Sequence, residues 1–352
     1  MNLVDILSAR TVPCRGAYLA ITRRCPLSCA HCLSESSNES EEHSAQMFKT
    51  FVETMTPECR PDFILLTGGE PLLRPKLVSQ LSHHARSAGC TVCVATGMFF
   101  ARSPSVPRLI QTALTEVDIV TASIDEFHER EVSRASVFRA VHWLLNQGKF
   151  VHFQTVTDDP ASIYLRELLT DVKAHFGGEV PVFVGKLSPV GRAAAWMRPT
   201  SKSCPSDSGG CGMASWPVVT YSGAIAACCN QDVVNGPIPA HLQVGHAAYN
   251  SWSDVCAAFS SSATIRAIRV YGPHTLAFAA PLSGETTYCE TCQGLSSDPT
   301  LTGRARNLMG KPFSAALELM VDSNRIDPGN FTLAGYEDWL GSTYERFRRG
   351  TA

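Results

Sequence analysis

Short apolar runs rich in β-branched residues recur along the first half of the chain at intervals of roughly thirty residues. The segments between them, such as 75–88 and 137–145, space their apolar residues three and four apart, as amphipathic helices do. The six expected strands are Ala17–Thr22, Asp62–Thr67, Thr91–Thr96, Asp118–Ile124, Val151–Val156 and Pro181–Leu187. Strands that alternate with helices predict an α/β fold of right-handed βαβ units, here a partial (β/α)6 barrel open on one side.

The pattern changes after Gly191. Residues 201–212 are rich in serine, glycine and cysteine and are typical of a loop or linker. A cysteine-bearing segment follows, and two further helices are expected at Pro312–Ser323 and Tyr336–Arg349. We therefore expect a barrel core over residues 15–195, a second domain over 200–300 and a helical tail over 301–352.

Composition narrows the functional classes. The chain has 352 residues and a formal net charge of -2, so there is no electrostatic basis for expecting nucleic acid or an anionic membrane as a partner. The first twenty residues lack the pattern of a secretory signal, and no apolar stretch approaches a membrane span, so we expect a cytoplasmic protein. Fourteen cysteines in such a chain favour metal or iron–sulfur ligation over disulfides.

Three cysteines lie close together directly after the first expected strand, in the run Cys25-Pro-Leu-Ser-Cys29-Ala-His-Cys32. Thiolates in this CxxxCxxC spacing can ligate three irons of a 4Fe–4S cluster and leave the fourth iron open for an exchangeable cofactor. A structural zinc site, or a redox pair made of Cys29 and Cys32, remains an alternative on spacing alone.

This run resembles the core signature of the radical S-adenosylmethionine (SAM) superfamily. The second expected strand ends in a segment similar to the GGEP motif with which that family binds the SAM amino group, namely Thr67, Gly68, Gly69, Glu70 and Pro71. The resemblance covers about residues 15–195, and its motifs all follow carboxyl ends of strands, where parallel barrels place their chemistry. It implies a SAM-binding 4Fe–4S cluster, SAM itself and an external low-potential electron donor of the flavodoxin or ferredoxin type.

Four further positions are candidates for SAM contacts through the same resemblance. His31 stands where the family usually has an aromatic residue near the adenine, and Ser123 and Asp125 suit the carboxylate or ribose. Arg192, in a Gly-Arg segment similar to that of family members, is expected to pair with an anionic group. The third strand runs into Thr96-Gly97 without the asparagine that many members have, and each of these residues alone is also typical of an ordinary strand end or loop.

A second set of cysteines begins at Cys211. Eleven residues, a glycine and four residues separate it from Cys228, and a CxxC pair at Cys289 and Cys292 follows. This spacing resembles the twitch module, a shortened relative of the SPASM domain, and implies a small α+β domain with an auxiliary 4Fe–4S cluster ligated by these four cysteines. Two short runs around Ser222-Gly223 predict a hairpin. A zinc site is the alternative, and the adjacent Cys229 competes with its neighbour as the ligand.

The resemblance implies reductive cleavage of SAM to a 5′-deoxyadenosyl radical, which abstracts a hydrogen atom from the substrate. An auxiliary electron acceptor favours net oxidation, as dehydrogenation or cross-linking, whereas a cysteine that returns a hydrogen atom gives an epimerase. Candidate hydrogen donors are Cys204, Cys229 and Cys256. The chain begins only about fifteen residues before its first strand, which favours a small-molecule natural-product intermediate over a peptide. Peptide maturation and a non-catalytic two-cluster electron carrier remain alternatives.

Overall fold

The architecture is that of a parallel barrel, as the alternating pattern predicts. A computed structural model describes residues 6, 9–159, 161–198, 209–277, 287–323 and 332–334. The six expected strands are present as β1 (Gly16–Thr22), β2 (Phe63–Gly68), β3 (Thr91–Thr96), β4 (Ile119–Ser123), β5 (Phe150–Thr157) and β6 (Val182–Lys186). None of the helices in the described ranges is long and apolar enough to cross a membrane.

Each of these strands pairs in parallel with the next along the chain. Four shorter strands extend the same sheet, which has the order β10-β6-β5-β4-β3-β2-β1-β7-β8-β9 over the described residues. These are β7 (Val218–Val219), β8 (Ala224–Ala226), β9 (Gln243–His246) and β10 (Thr332–Ala334). Because β6 and β1 do not pair, the barrel is open on one side, and the expected partial (β/α)6 fold is confirmed.

Helices follow the barrel strands and cover one face of the sheet. They are α1 (Ala45–Glu53), α2 (Pro75–Ser87), α3 (Arg108–Thr115), α4 (Glu126–Glu129), α5 (Arg134–Asn146) and α6 (Ile163–Phe176). A row of paired residues, Leu19–Leu66–Val94–Val120–Val151, crosses the sheet and is buried against these helices in the main core.

The opposite face of the sheet lines the barrel lumen and is less well covered. Strand residues alternate between the two faces, so the neighbours of the buried row point inwards. Several of them are half-buried or exposed, which leaves an accessible space enclosed by the strands. The lumen residues nearest the carboxyl ends of the strands are Leu65, Thr67, Ala95, Ser123, Gln154 and Phe183.

The region after residue 209 joins the barrel at β1. Strand β7 pairs in parallel with β1 through Tyr18 and Leu19, and β8 returns antiparallel to β7 across a turn at Ser222-Gly223, so the expected hairpin is confirmed. Gly223 has a φ of +94°, which explains the glycine at this turn. The remaining helices are α7 (Gln231–Asn235), α8 (Trp252–Ser261), α9 (Ala263–Tyr271), α10 (Pro273–Leu276), α11 (Tyr288–Gly294), α12 (Leu301–Met309) and α13 (Pro312–Ser323).

These later helices have a second apolar core of their own, which includes Ile268, Leu276 and Leu301. Other residues of the same region, such as Trp252 and Phe259, pack into the main core instead. The 200–300 region is thus attached to the barrel through shared packing and a shared sheet. The expected helix at Pro312–Ser323 is confirmed as α13, whereas Tyr336–Arg349 lies outside the described residues.

His152 on β5 is a buried histidine of the lumen face. Its Nε2 lies 3.0 Å from Thr121 Oγ1, while its Nδ1 is buried and makes no hydrogen bond in the part of the chain that the structure describes. Burial lowers the pKa of His152 to about 4. The neutral ring is therefore favoured in the folded chain, and the unfolded chain binds an extra proton as the pH falls below the ordinary histidine value of 6.5.

We expect this difference to make stability depend on pH between about pH 6.5 and pH 4. The contribution of His152 is fully present above pH 6.5, and lowering the pH to 4 removes up to about 3 kcal/mol of unfolding free energy. Urea titrations from pH 7 to pH 4.5 measure this slope, which should be flatter in His152→Gln. The exposed control His83→Gln should keep the wild-type slope, and equal slopes in all three proteins would contradict the assignment.

Candidate functional site

Cys25, Cys29 and Cys32 lie on a tight loop at the carboxyl end of β1. The Cys25 N–H donates to Ser37 O at 3.0 Å, and the Cys32 N–H donates to Cys29 O at 3.2 Å, which folds the loop back on itself. Cys25 Sγ accepts the Leu27 N–H at 3.4 Å. The loop therefore brings the three side chains to one place, above the barrel lumen.

The loop fits a cationic iron–sulfur group. Burial raises the pKa of Cys25 to about 12, and the nearby charges of Glu70, Cys32 and Cys29 act in the same direction. Thiolates this close repel one another unless a metal compensates their charge. All the cysteines in the described ranges have free thiols, so these three remain available as ligands.

The Gly-Gly-Glu-Pro segment packs directly beside that loop. A Cβ atom on Gly68 would lie 2.1 Å from Thr22 O, and one on Gly69 would lie 2.4 Å from Arg24 O. The Gly69 N–H and the Glu70 N–H donate to Thr22 O and Arg24 O, both at 2.8 Å. The glycines thus allow the end of β2 to approach the backbone that leads into the cysteine loop.

Glu70 connects β2 to β3. Its Oε2 accepts hydrogen bonds from Thr96 Oγ1 at 2.8 Å and from the Gly97 N–H at 2.9 Å, while its Oε1 accepts the Leu72 N–H. The side chain is fully buried, and burial raises its pKa to about 7 against the effect of these hydrogen bonds. The carboxylate of Glu70 therefore holds the two motif turns together, and Pro71 begins the short 3₁₀ helix that follows.

A hydrogen-bonded histidine pair surrounds Asp125. Its Oδ1 accepts the N–H groups of Phe127 and His128 and caps α4, while its Oδ2 accepts from His128 Nδ1 at 2.7 Å and lies 3.4 Å from His31 Nε2. Burial alone would lower the pKa of His128, but Asp125, and after it Cys29, raise it to about 10. The network therefore places a protonated imidazole against a cysteine of the loop.

His31 supplies an aromatic surface at the same place. Its ring centroid lies 4.7 Å from that of Phe127, and its Nδ1 is buried with no hydrogen-bond partner among the described residues. A buried polar atom without a partner is available for a hydrogen bond with a bound cofactor. Ser123 lies nearby as the last residue of β4, half-buried on the lumen face and paired in register with Gln154.

Arg192 contacts the cysteine loop itself. Its Nη1 donates to Cys29 O at 2.8 Å and its Nη2 donates to Ser36 O. Both contacts are with carbonyl oxygens rather than with the anionic group expected from the sequence. The preceding Gly191 has a φ of +58°, and a Cβ there would lie 2.4 Å from Cys32 O. The turn after β6 therefore packs against the cysteine loop and is hydrogen-bonded to it, on the open side of the barrel. We call this contact of Gly191 and Arg192 with the loop the clasp.

Arg192→Gln should loosen this clasp without unfolding the barrel. Two donors to loop carbonyls disappear, and a positioning contact of this kind is worth roughly tenfold to a hundredfold in metal affinity. Iron retention during a chelator challenge measures the effect on the anaerobically reconstituted protein. The exposed control Arg198→Gln should behave as wild type, and equal iron loss from all three proteins would show that the clasp does not support the loop.

The second set of cysteines meets beside the second apolar core. Cys211, Cys228 and Cys292 all pack against that core, and Cys289 is exposed nearby on α11. Burial raises the pKa of Cys211 to about 11 and that of Cys292 to about 12, and the charges of neighbouring cysteines add to both shifts. The Asn230 N–H donates to Cys228 Sγ at 3.3 Å. Four thiols with mutual repulsion form a donor set that fits a metal or an iron–sulfur cluster.

The three candidate hydrogen donors lie in different places. Cys204 lies outside the described residues. Cys256, on α8, hydrogen-bonds to Cys14, which precedes β1, so it lies at the end of the barrel opposite the Cys25–Cys32 loop. Cys229 accepts a hydrogen bond from Arg10 at 3.1 Å, and Arg10 in turn stacks on the lumen residue Tyr18. Of the three, only Cys229 is brought next to the barrel interior in the described part of the chain.

Comparisons with known proteins agree with this geometry. Residues 19–157 match the family model of the radical SAM superfamily, and this segment contains the cysteine loop, the Gly-Gly-Glu-Pro turn and Asp125. A solved structure of Streptococcus suis SuiB bound to S-adenosylmethionine superposes with a TM-score of 0.48 at 11% identity, covering 62% of this chain and 61% of that one.

Two curated proteins are similar in sequence. An AdoMet-dependent heme synthase of Oleidesulfovibrio alaskensis is 27% identical over 204 residues, which cover 55% of this chain and 51% of that protein. An Fe-coproporphyrin III synthase of Methanosarcina barkeri is 26% identical over 159 residues, covering 42% and 39%. The chain thus spans about half the length of the curated relatives that it matches, or less. The segment that contains the barrel strands β1 to β5 and the motif turns is thus similar to the radical SAM superfamily.

Proposed function

We propose that this protein is an enzyme that reductively cleaves SAM and uses the resulting radical to oxidise a small organic substrate. The observation that carries the proposal is the assembly of Cys25, Cys29 and Cys32 on one loop, clasped by Arg192 above an accessible barrel lumen. When bound, a reduced 4Fe–4S cluster supplies the electron that cleaves SAM to methionine and a 5′-deoxyadenosyl radical, which removes a hydrogen atom from the substrate.

The chain's own residues hold and orient the reactants. Cys25, Cys29 and Cys32 would hold the SAM-binding cluster through three thiolates. Arg192 and His128 hold the loop through Cys29. The backbone of Gly68 and Gly69 is our candidate for binding the SAM amino group, and the Glu70 carboxylate holds that turn next to Gly97. The His31 ring would pack near the adenine of SAM, and its Nδ1, which has no partner among the described residues, would be available for a hydrogen bond with it. Because the lumen is accessible, SAM and substrate would themselves have to fill it to keep water away from a reactive radical.

The lumen favours a substrate of mixed polarity. Its carboxyl end carries apolar Leu65, Ala95 and Phe183, and Ser123 and Gln154 add hydrogen-bonding groups. Small-molecule sites are typically apolar with a few such polar groups. We therefore propose a small-molecule intermediate as the substrate, with a peptide as the alternative, and a flavodoxin- or ferredoxin-type protein as the electron donor. The free thiols fit a reducing compartment such as the cytoplasm.

We assign an auxiliary 4Fe–4S cluster to Cys211, Cys228, Cys289 and Cys292, within a twitch-like domain over residues 200–300. Cys228 is preferred over Cys229 because it packs against the same apolar core as Cys211 and Cys292. Held by these four cysteines, such a cluster would supply an acceptor for the second electron of a two-electron oxidation. If Cys229 instead returned a hydrogen atom to the substrate radical, the net reaction would be an epimerisation. A protein that only carried electrons would leave SAM intact.

A second candidate substrate class is an iron porphyrin. It is supported by the names of the two curated relatives, a heme synthase and an Fe-coproporphyrin III synthase. Titration of the protein with iron coproporphyrin tests this class directly. A saturable shift of the porphyrin absorption band at stoichiometric concentration would favour it, and an unchanged spectrum would exclude it in favour of other small molecules.

The proposed activity is tested by incubating the reduced, reconstituted protein with SAM and measuring 5′-deoxyadenosine by mass spectrometry. We expect slow formation without substrate and faster, stoichiometric formation when the correct substrate is added. Deuterium transfer from labelled substrate into 5′-deoxyadenosine would identify the carbon that loses hydrogen. Absence of 5′-deoxyadenosine from protein that contains its full iron content would refute the proposal.

A further inference from the structure

Arg10 lies in the segment before β1 and reaches the second set of cysteines. Its Nη2 donates to Cys229 Sγ at 3.1 Å and lies 3.5 Å from Met213 Sδ. Cys211 also contributes electrostatically to the raised pKa of Arg10. The guanidinium of Arg10 therefore lies beside the proposed auxiliary site, although it is about two hundred residues away from those cysteines along the chain.

Two aromatic rings fix the guanidinium in place. The Arg10 Cζ lies 4.9 Å from the centroid of Tyr18 and 5.1 Å from that of Trp216. Trp216 is buried and stacks on Phe63, and its Nε1 donates to Ala9 O at 3.1 Å. Ala9, the residue before Arg10, is thus hydrogen-bonded to the tryptophan on which Arg10 lies. The centroids of Tyr18 and Trp216 lie 5.7 Å apart, so the planar cation lies over both rings, and their contacts restrict its orientation towards the cysteines.

Among the described residues, no carboxylate pairs with Arg10 to balance its charge. Burial works to lower its pKa, and the groups that raise it are Tyr18, Cys229 and Cys211, none of which is a carboxylate. Its Nη1 is buried and makes no hydrogen bond within the described residues. Ordinary thiols and phenols are neutral at neutral pH, so they do not compensate a buried cation. The missing anion is supplied if the neighbouring cysteines ligate an iron–sulfur cluster, whose thiolate shell is negatively charged.

We propose that Arg10 is the counter-cation of the auxiliary cluster and raises its reduction potential. This inference rests on the proposed auxiliary site. Reduction adds one negative charge to the cluster, and a fixed cation stabilises the reduced form more than the oxidised form. Charge and hydrogen bonding around the sulfur ligands are among the factors that set such potentials. Arg10 is thus a positioning residue that acts on electron acceptance and does not contact the substrate.

The test is a redox titration followed by electron paramagnetic resonance, in wild type, Arg10→Gln and Arg10→Lys. We expect Arg10→Gln to lower the reduction potential of the auxiliary cluster by at least ~59 mV, which corresponds to a tenfold change in the one-electron equilibrium constant. Arg10→Lys keeps the charge and should fall between the other two proteins. The cluster at Cys25, Cys29 and Cys32 is an internal reference, and its potential should stay unchanged.

A matched control is Arg15→Gln, five residues further along the same segment, where the exposed arginine pairs with Asp62. It should leave both potentials at their wild-type values. An unchanged auxiliary potential in Arg10→Gln would overturn the inference, as would an equal shift of both clusters. If Arg10→Gln loses auxiliary iron while Arg10→Lys keeps it, charge is still the cause and the inference stands. Iron loss from both variants would assign Arg10 a purely structural role and overturn it.

Failure of the inference and failure of the auxiliary site give different results. About four irons per wild-type chain would remove the auxiliary cluster itself, and the role of Arg10 would fall with it. About eight irons with an unchanged potential in Arg10→Gln would leave the auxiliary cluster in place and reject only the role of Arg10.

Discussion

Replacing Cys29 with alanine is expected to abolish the formation of 5′-deoxyadenosine from SAM. Cys29 is the buried member of the loop, its carbonyl binds Arg192, and its thiol is bonded to His128. Without it, two thiolates remain for a cluster that needs three protein ligands. The loss should exceed about a hundredfold, which is the upper end for residues that only support a ligand. Mass spectrometry of the reaction products and the iron content of the variant measure it.

The control for this experiment is Cys59→Ser, which removes a half-buried thiol from the turn before β2, at the opposite end of the barrel. It should retain wild-type iron and wild-type SAM cleavage. Circular dichroism establishes that both variants are folded. SAM cleavage by a folded Cys29→Ala protein at the rate of Cys59→Ser would refute the assignment of the loop as the cluster site.

Replacing Cys292 with alanine is expected to separate SAM cleavage from turnover. Cys292 lies on α11 beside the second apolar core, with its Sγ 3.9 Å from His241 Nε2. The variant should lose about half of its iron, cleave SAM without substrate as wild type does, and give no oxidised product. Iron analysis and product analysis on the same sample measure both effects.

The pair Cys228→Ala and Cys229→Ala sharpens the same test. The first should behave like Cys292→Ala, because Cys228 packs with the other proposed ligands. The second should keep its full iron content, because Cys229 is directed towards Arg10. The reverse result would exchange the two assignments. Full product formation by Cys292→Ala would contradict the role of the auxiliary site in oxidation.

The barrel and its motif turns were accessible to prediction because their signals are local. Each barrel strand is a continuous apolar run, and each motif follows its own strand within a few residues, so no long-range contact had to be known. The hairpin around Gly223 belongs to the same class, since a glycine between two short β-branched runs predicts the turn.

The pairing of β7 with β1 was not predictable from either segment alone. It joins residues about two hundred positions apart, and only the folded chain shows that the later region continues the barrel sheet. The same limit applies to Arg192, Arg10 and His128. Their roles depend on contacts with distant segments, and an arginine or histidine in a sequence does not reveal its partner. Only for His128 does the sequence offer a local indication of its partner, because Asp125, which caps the same helix, stands three residues before it.

Glu70 shows a different limit. The motif identifies the segment, but the resemblance does not state how its side chain is used. In the structure the carboxylate binds the turn after β3, including Gly97, where the family's asparagine is absent. The buried acid therefore positions the turn after β3.

The most direct test of the account is the iron and sulfide content of the anaerobically reconstituted wild-type protein, with a Mössbauer spectrum of the same sample. Two sets of cysteines that each hold a 4Fe–4S cluster predict about eight irons and about eight sulfides per chain. About four of each would contradict the auxiliary site and favour a redox-neutral reaction. Zinc with little iron would contradict the radical SAM chemistry proposed for this chain.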